Sequence, residues 1–373
     1  MTSIDVALLP PMDVAGRLPR LRERLGDAGC DAVLVTNLAN IRYLTGFSGS
    51  AALLLVLPDE LVMATDGRYQ FQAAEQLAGV GVEARPVVGN LAAQREGLSS
   101  AAAHLGRLGL EAASVTWARQ RSFASEWFPT AELIPTEGLV EALRRVKDEG
   151  EVARMAAAAH VADQAFAAIR PLLAGGATEL DVAMALDFEM RRGGATASSF
   201  DTIVASGPNG AKPHARPSAR RIEEGELVVI DFGAVVDGYC SDMTRTISAG
   251  PVRSETMARM VEVVAESQRA GVAAVRAGVA AAEVDRTCRD VIVAAGWGDA
   301  FLHSTGHGVG LDIHEAPTVS ATSGDTLAAG QVVTVEPGVY LPEHGGVRIE
   351  DTVVVTDHGC RPLTLAPKDL VIA

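Results

Sequence analysis

Aromatic residues are scarce in this chain: Phe, Trp and Tyr make up 4% of its 373 residues. Hydrophobic residues reach 48%, so a sizeable core is available, but Ala, Val and Leu must fill most of it. Basic residues are also in deficit, with 32 Lys and Arg against 47 Asp and Glu and a formal net charge of −15. That balance argues against nucleic acid or an anionic membrane as a partner. The four cysteines, Cys30, Cys240, Cys288 and Cys360, are scattered and show no CxxC spacing. A disulfide framework is therefore not expected, and a cytoplasmic location is the natural reading. No apolar run reaches the ~18 residues of a membrane-spanning helix. The stretch from Met1 to Arg17 carries Asp5 and Asp13 and no basic leader region, so no signal peptide is expected either.

The length suggests two domains. The first part alternates helix-like and strand-like patterns: a helix over 17–28 ending at Gly29, strands over 32–36, 50–57 and 61–65, and a helix over 69–77. Such alternation predicts an α/β domain with a partly parallel sheet. From about Gly138 the pattern becomes helical and charged, with Arg144, Arg145, Lys147, Asp148, Glu149 and Glu151 clustered. The expected domains are 1–140 and 141–373. Within the second, the run from Gly176 to Asp181 and the run from Val279 to Asp285 both open helices that end near glycines. Their matching Glu179 and Glu283 suggest a duplication offset by 104 residues (283 − 179).

Five residues stand out: Asp231, Asp242, His307, Glu336 and Glu350 each interrupt an apolar or Gly-rich run. Four carboxylates and one imidazole suit two hard or borderline divalent metals and a two-metal hydrolase. Asp237-Gly238 predicts a tight hairpin turn. That turn pairs Val236 with Tyr239 and Asp231 with Thr244, so Asp242 shares a face with Asp231. Two such carboxylates in a buried sheet repel each other unless a cation lies between them; the alternative is a pair of solvated edge-strand aspartates. His303, His307 and His314 cluster around the Gly-rich stretch 304–310, and Gly306 and Gly308 bracket His307. His214 sits between Pro213 and Ala215. Glu336 closes the β-branched run 332–335, and a buried charge there needs a partner. Arg348 and Glu350 are two apart in a strand-like run and read as sharing a face; Arg348 is alternatively a structural ion-pair partner of Glu350 or Glu336.

With these motifs in this order, the chain resembles the pita-bread metallopeptidases, the group of Xaa-Pro dipeptidase (prolidase), Xaa-Pro aminopeptidase and methionine aminopeptidase. The stretches Asn40 to Phe47 and Thr65 to Tyr69 resemble the creatinase-type N-terminal domain. The resemblance implies an α/β N-terminal domain followed by an α+β pita-bread catalytic domain with an internal pseudo-twofold duplication. It further implies that Asp231 chelates one metal, that Asp242 and Glu350 bridge both, and that His307 and Glu336 complete the set. Glu336 also carries the proton. His214 and His314 match histidines that engage the scissile carbonyl, and His303, Tyr340 and Arg348 match positions lining the substrate pocket. The implied activity is exopeptidase cleavage before proline of an Xaa-Pro dipeptide or short peptide. A dipeptidase leads, with an aminopeptidase acting on longer peptides as the alternative. A creatinase-like C–N hydrolase and a non-catalytic binding module share the fold. Two divalent ions, manganese first and cobalt or zinc next, and a homodimer complete the expectation.

Overall fold

A computed structural model describes residues 4–369 together with 371–372; residues 1–3, 370 and 373, at the outer ends of the two expected domains, lie outside the described residues. The chain divides into two compact units, Met12–Arg144, and Met1–Pro11 with Arg145–Ala373.

The N-terminal unit has one six-stranded sheet: β1 (Ala32–Val35), β2 (Ala52–Val56), β3 (Leu61–Thr65), β4 (Arg85–Val88), β5 (Arg107–Glu111) and β6 (Glu132–Thr136), in the order β4-β3-β2-β1-β5-β6. Only β2 runs antiparallel to its neighbours. Its helices are α1 (Arg17–Glu23), α2 (Leu38–Thr45), α3 (Gln70–Gly79), α4 (Leu91–Ala101), α5 (Trp117–Ser122) and α6 (Glu141–Arg144). The central strand β1 is fully buried, as a near-continuous apolar strand covered on both faces must be. The expected helix over 17–28 stops at Glu23 and gives way to turns through Gly29. Gly26 and Asp27 are poor helix residues and permit the turns.

The second unit repeats one arrangement twice. In its first half, α7 (Glu149–Leu173) and α8 (Glu179–Arg192) pack on β8 (Ile203–Ser206), β9 (Leu227–Phe232) and β12 (Met243–Ala249). A short ribbon of β7 (Ala197–Ser198), β10 (Ala234–Val236) and β11 (Tyr239–Cys240) extends it. In the second half, α9 (Glu255–Ala274) and α10 (Ala281–Ala294) pack against β13 (Gly306–Gly308), β14 (Glu315–Val319), β15 (Val332–Val335), β18 (Asp351–Thr356) and β19 (Gly359–Pro362). The hairpin of β16 (Gly338–Leu341) and β17 (Gly345–Arg348) and the terminal strand β20 (Val371–Ile372) complete the unit. The order β8-β9-β12 corresponds to β13-β15-β18, antiparallel throughout.

Helices α8 and α10 both have 14 residues, and they start 102 residues apart (281 − 179). Isolated bridges precede each, Thr178 to Arg221 and Ala280 to Thr326; the helix-side residues keep the 102-residue spacing (280 − 178), while their partners lie 105 apart (326 − 221). The helix offset is two less than the sequence suggests, because Glu179 is the first residue of α8 whereas Glu283 is the third of α10. Local chemistry sets the helix starts: Asp148 with Glu151, and Thr178 with Asp181, form reciprocal capping boxes. The two sheets are stitched at the centre of the unit. Glu350 N–H donates to the Thr244 carbonyl at 3.1 Å, and the Thr352 hydroxyl to that of Asp242 at 2.8 Å.

Candidate active site

The turn at Asp237-Gly238 forms as the sequence predicts, with φ of 46° and 79° at the two positions. Val236 pairs with Tyr239 and Asp231 with Thr244. The ladder breaks at Gly233, opposite Asp242, where an added Cβ would collide with the Ser241 carbonyl. Both Asp231 and Asp242 line one cleft of about 860 Å³. The pair is therefore not a solvated edge: Asp242 is 5% exposed. From the other half, β13 brings His307 to the same cleft. Gly306 before it leaves no room for a side chain against the Thr334 carbonyl. Glu336 follows the end of β15, and Glu350 precedes β18.

Nine of the ten residues singled out from sequence line this cleft: His214, Asp231, Asp242, His303, His307, His314, Glu336, Arg348 and Glu350. Tyr340 lies behind them, 4% exposed. The His307 Nε2 is 3.4 Å from Asp242 Oδ2 and 3.5 Å from Glu336 Oε1. Its Nδ1 faces the Gly308 carbonyl at 3.0 Å, which places the proton of the neutral ring on Nδ1 and leaves Nε2 toward the carboxylates. Single ligand atoms of Asp242, His307 and Glu350 all lie within 4.8 Å of one another.

Arg348 and Glu350 do not share a strand, because the chain leaves β17 at Arg348 and enters β18 at Asp351. The ion-pair partner of Arg348 is Asp231, at 2.6 Å, rather than Glu350 or Glu336. The same guanidinium donates to the Tyr340 hydroxyl at 2.7 Å and the Thr244 hydroxyl at 3.0 Å. Tyr340 lies 2.8 Å from His303 Nε2, and His303 Nδ1 lies 2.8 Å from the Ser304 carbonyl. A neutral His303 donating from Nδ1 and accepting from Tyr340 satisfies every member of this chain.

The electrostatics distinguish the groups. Burial pushes Asp242 up to about 6, with His307 opposing and the Asp231 charge adding. Burial likewise pushes Glu336 up to about 7 and lifts Glu350 well above the carboxylate range, reinforced by the charges of Asp242, Glu336 and Asp231. Burial lowers His307, but the hydrogen bond with Asp242 and the Glu336 charge outweigh it and hold the imidazole up at about 9. His303 is pushed down to about 4 by burial and by the Arg348 charge. His314 is lowered by burial and by the charge on His307, whose ring is 4.4 Å away, edge to face.

Four carboxylates around one imidazole lack enough protein donors. Asp231 Oδ1 and Glu350 Oε1 are buried with no hydrogen-bond partner. Orphaned anionic oxygens of this kind carry a large desolvation cost, and divalent cations relieve it. The donor set, mostly oxygen with one imidazole, fits such ions. Sequence reasoning passed over the apolar wall of the cleft, formed by Leu180, Met184, Phe200, Ile203 and Ile313. Apolar residues at helix and strand spacing cannot be told from core by pattern alone.

Relatives match this chain along nearly their whole length. Residues 17–146 match the creatinase/prolidase N-terminal domain, and residues 153–357 match metallopeptidase family M24. The chain is 42% identical to the uncharacterized peptidase YqhT of Bacillus subtilis, covering 95% of this chain and 99% of that one. An Xaa-Pro dipeptidase structure from Bacillus anthracis superposes with a TM-score of 0.92 at 41% identity, covering 96% of this chain and 100% of that one. The X-Pro aminopeptidase structure from Thermotoga maritima gives 0.86 at 35% identity, covering 94% and 99%. The chain belongs to metallopeptidase family M24, with a creatinase/prolidase N-terminal domain ahead of the unit that carries the cleft.

Proposed function

We propose that this protein is a dinuclear metal-dependent exopeptidase that cleaves between an N-terminal residue and proline, acting as an Xaa-Pro dipeptidase, with residues 141–373 as its catalytic domain. The observation that carries this reading is the convergence of Asp231, Asp242, His307, Glu336 and Glu350 on one cleft, with buried carboxylate oxygens left unpartnered. These five residues would hold two divalent ions, which when bound activate water and polarise the scissile carbonyl. Manganese suits the oxygen-rich set, with cobalt or zinc next.

The chain's own groups supply the rest. The bond before proline has a tertiary nitrogen that carries no proton, so its departure requires one. Glu336, whose Oε1 lies 3.5 Å from His307 Nε2 in the cleft, is read as the group that carries a proton from the nucleophile to the departing nitrogen. His214 and His314, both in the cleft wall, are read as donors to the carbonyl oxygen as negative charge develops there. Arg348 fixes one Asp231 oxygen and the Tyr340 hydroxyl, orienting both without leaving its own charge unpaired. Neutral His303, tied to Tyr340, lines the substrate side.

The dipeptidase reading is supported by the full-length likeness to the B. anthracis Xaa-Pro dipeptidase, and the aminopeptidase alternative by the likeness to the T. maritima enzyme. Hydrolysis of Xaa-Pro compared with Xaa-Pro-Yaa, after reconstitution with manganese, cobalt or zinc in turn, decides both the substrate and the metal. Preference for Xaa-Pro-Yaa replaces the dipeptidase reading with the alternative. The protein is further read as a cytoplasmic homodimer. The free cysteines suit a reducing compartment. Light scattering at micromolar concentration is expected to give twice the chain mass of 38.8 kDa, and a monomer refutes the dimer.

A further inference from the structure

His214 lies in the connection 207–226 between β8 and β9, in the stretch without regular structure that follows a short 3-10 helix, Gly207–Ala211. Such a segment has no sheet ladder to fix it, yet a histidine that must meet a carbonyl oxygen has to be held within a fraction of an ångström. One side chain holds both ends. Glu179, the first residue of α8, is 0% exposed. Its Oε1 accepts from the Ser206 backbone N–H at 2.7 Å and the Ser206 hydroxyl at 2.8 Å. Its Oε2 accepts from the Ser218 N–H at 3.1 Å and the Ser218 hydroxyl at 2.6 Å. The Asn209 amide reaches both oxygens at 3.1 Å.

A glutamate at the start of a helix ordinarily faces solvent, where the helix dipole already favours it. A buried carboxylate requires compensation by many donors, and here those donors come from the entrance and exit of the His214 segment. Between them, the Pro213 carbonyl accepts from Arg348 at 3.3 Å, the same guanidinium that binds Asp231. Gly210 packs so closely on Gly346 that neither admits a Cβ without a shift. The segment is thus pinned at both ends by Glu179 and in the middle by groups of the cleft itself. Glu179 does not line the cleft.

The second half holds its histidines in a comparable way. Asp285 on α10, also 0% exposed, accepts from the Thr305 N–H at 3.1 Å and its hydroxyl at 2.9 Å. Arg289, paired with Asp285, donates to the His303 carbonyl at 3.0 Å. We infer that Glu179 is a positioning residue that sets His214, and that Asp285 does the same for the 303–307 segment. The inference rests on the reading of His214 as a group that engages the scissile carbonyl.

The test uses the full-length, metal-loaded enzyme. Glu179→Gln keeps the size of the side chain and puts a donor where an acceptor is needed. It is expected to lower kcat about 10²-fold, the order attached to a 1 Å misplacement, with metal content at the wild-type value. Amide exchange over 206–218 should accelerate while β9 and β12 keep their protection. The double variant with His214→Ala should be no slower than His214→Ala alone, because a residue acting through another adds nothing once that other is gone. Multiplicative losses, wild-type turnover of Glu179→Gln, unchanged exchange, or loss of metal would each overturn the inference. Wild-type turnover of His214→Ala overturns instead the role given to His214. If Glu179→Gln does not fold, Ser218→Ala removes one clamping hydroxyl and should show the same non-additivity with a loss of about tenfold, the worth of a hydrogen bond to a charged group.

Discussion

Each unit buries carboxylates, but on different terms. In the N-terminal unit, Glu111 at the end of β5 is raised by burial and held back by its hydrogen bonds to Asn40, Thr36 and Asn37. One oxygen accepts from the N–H groups of Thr36 and Asn37, at 2.5 and 2.8 Å, and the other from the Asn40 amide at 2.7 Å. Both oxygens are engaged, and the result is a fixed start for α2. In the catalytic unit, Asp231 and Glu350 each keep one buried oxygen unpartnered, and Asp242 and Glu336 face the same histidine, His307. Burial of a charge therefore does not mark a site by itself. Convergent charges with unmet valence do. Glu179 and Asp285 fall on the Glu111 side of this comparison, although they stand close to the chemistry.

The comparison breaks most visibly under truncation. Asp242→Ala is expected to bind one ion or none and to lose at least about 10³-fold in turnover, the upper cost of removing a single donor to the transition state. Glu111→Ala should keep metal content and turnover per folded molecule. It should instead lose about 3 kcal/mol in urea denaturation, because buried donors lose their acceptor. Equal metal loss in the two variants would erase the distinction.

Proton linkage sharpens it. Without bound cations, Asp242 at about 6 and Glu336 at about 7 lie above the unfolded values of ~3.9 and ~4.3. The folded chain then binds more protons, so stability falls as pH rises through that window. His307 acts in the same direction: its contribution is complete below ~6.5 and lost as pH rises through about 9. A divalent ion displaces these protons. The gain in Tm on adding manganese should therefore grow from pH 5.5 to 8, with affinity rising about tenfold per pH unit for each proton displaced. A pH-independent gain would show that the ion binds elsewhere.

The finest division lies within the cleft, between two histidine rings in contact. His307→Ala should lower metal content and rate together. His314→Ala should leave metal content near wild type and cost roughly 10²-fold in turnover. Equal metal loss in both would remove His307 from its special place. A fall in Tm for His314→Ala with no selective loss of turnover would reduce His314 to a loop residue.

Much of this was legible in the chain before folding. The Asp237-Gly238 turn is local chemistry, and it sets a register that carries Asp231 opposite Thr244 six residues away. The five charged interruptions of apolar runs stand out because buried strands do not otherwise tolerate them. The helix starts at Asp148 and Thr178 are readable from their caps.

Partner choice was not legible. Arg348 binds Asp231, 117 residues away, and ends β17, while Glu350, only two positions on, lies between β17 and β18. The bridges beside the starts of α8 and α10 reach Arg221 and Thr326, partners that no helix pattern contains. The apolar wall around Phe200 and Ile313 looks like core in sequence and becomes cleft only where the two sheets leave it uncovered. The sequence by itself determined which residues carry charge into the interior and how each local turn and cap is made, since those depend on neighbours a few positions apart. Which oxygens meet, which remain unpartnered and which histidine each buried acid holds were decided by the tertiary structure, because hydrogen bonds and Coulomb interactions act over a few ångströms of space and are blind to distance along the chain.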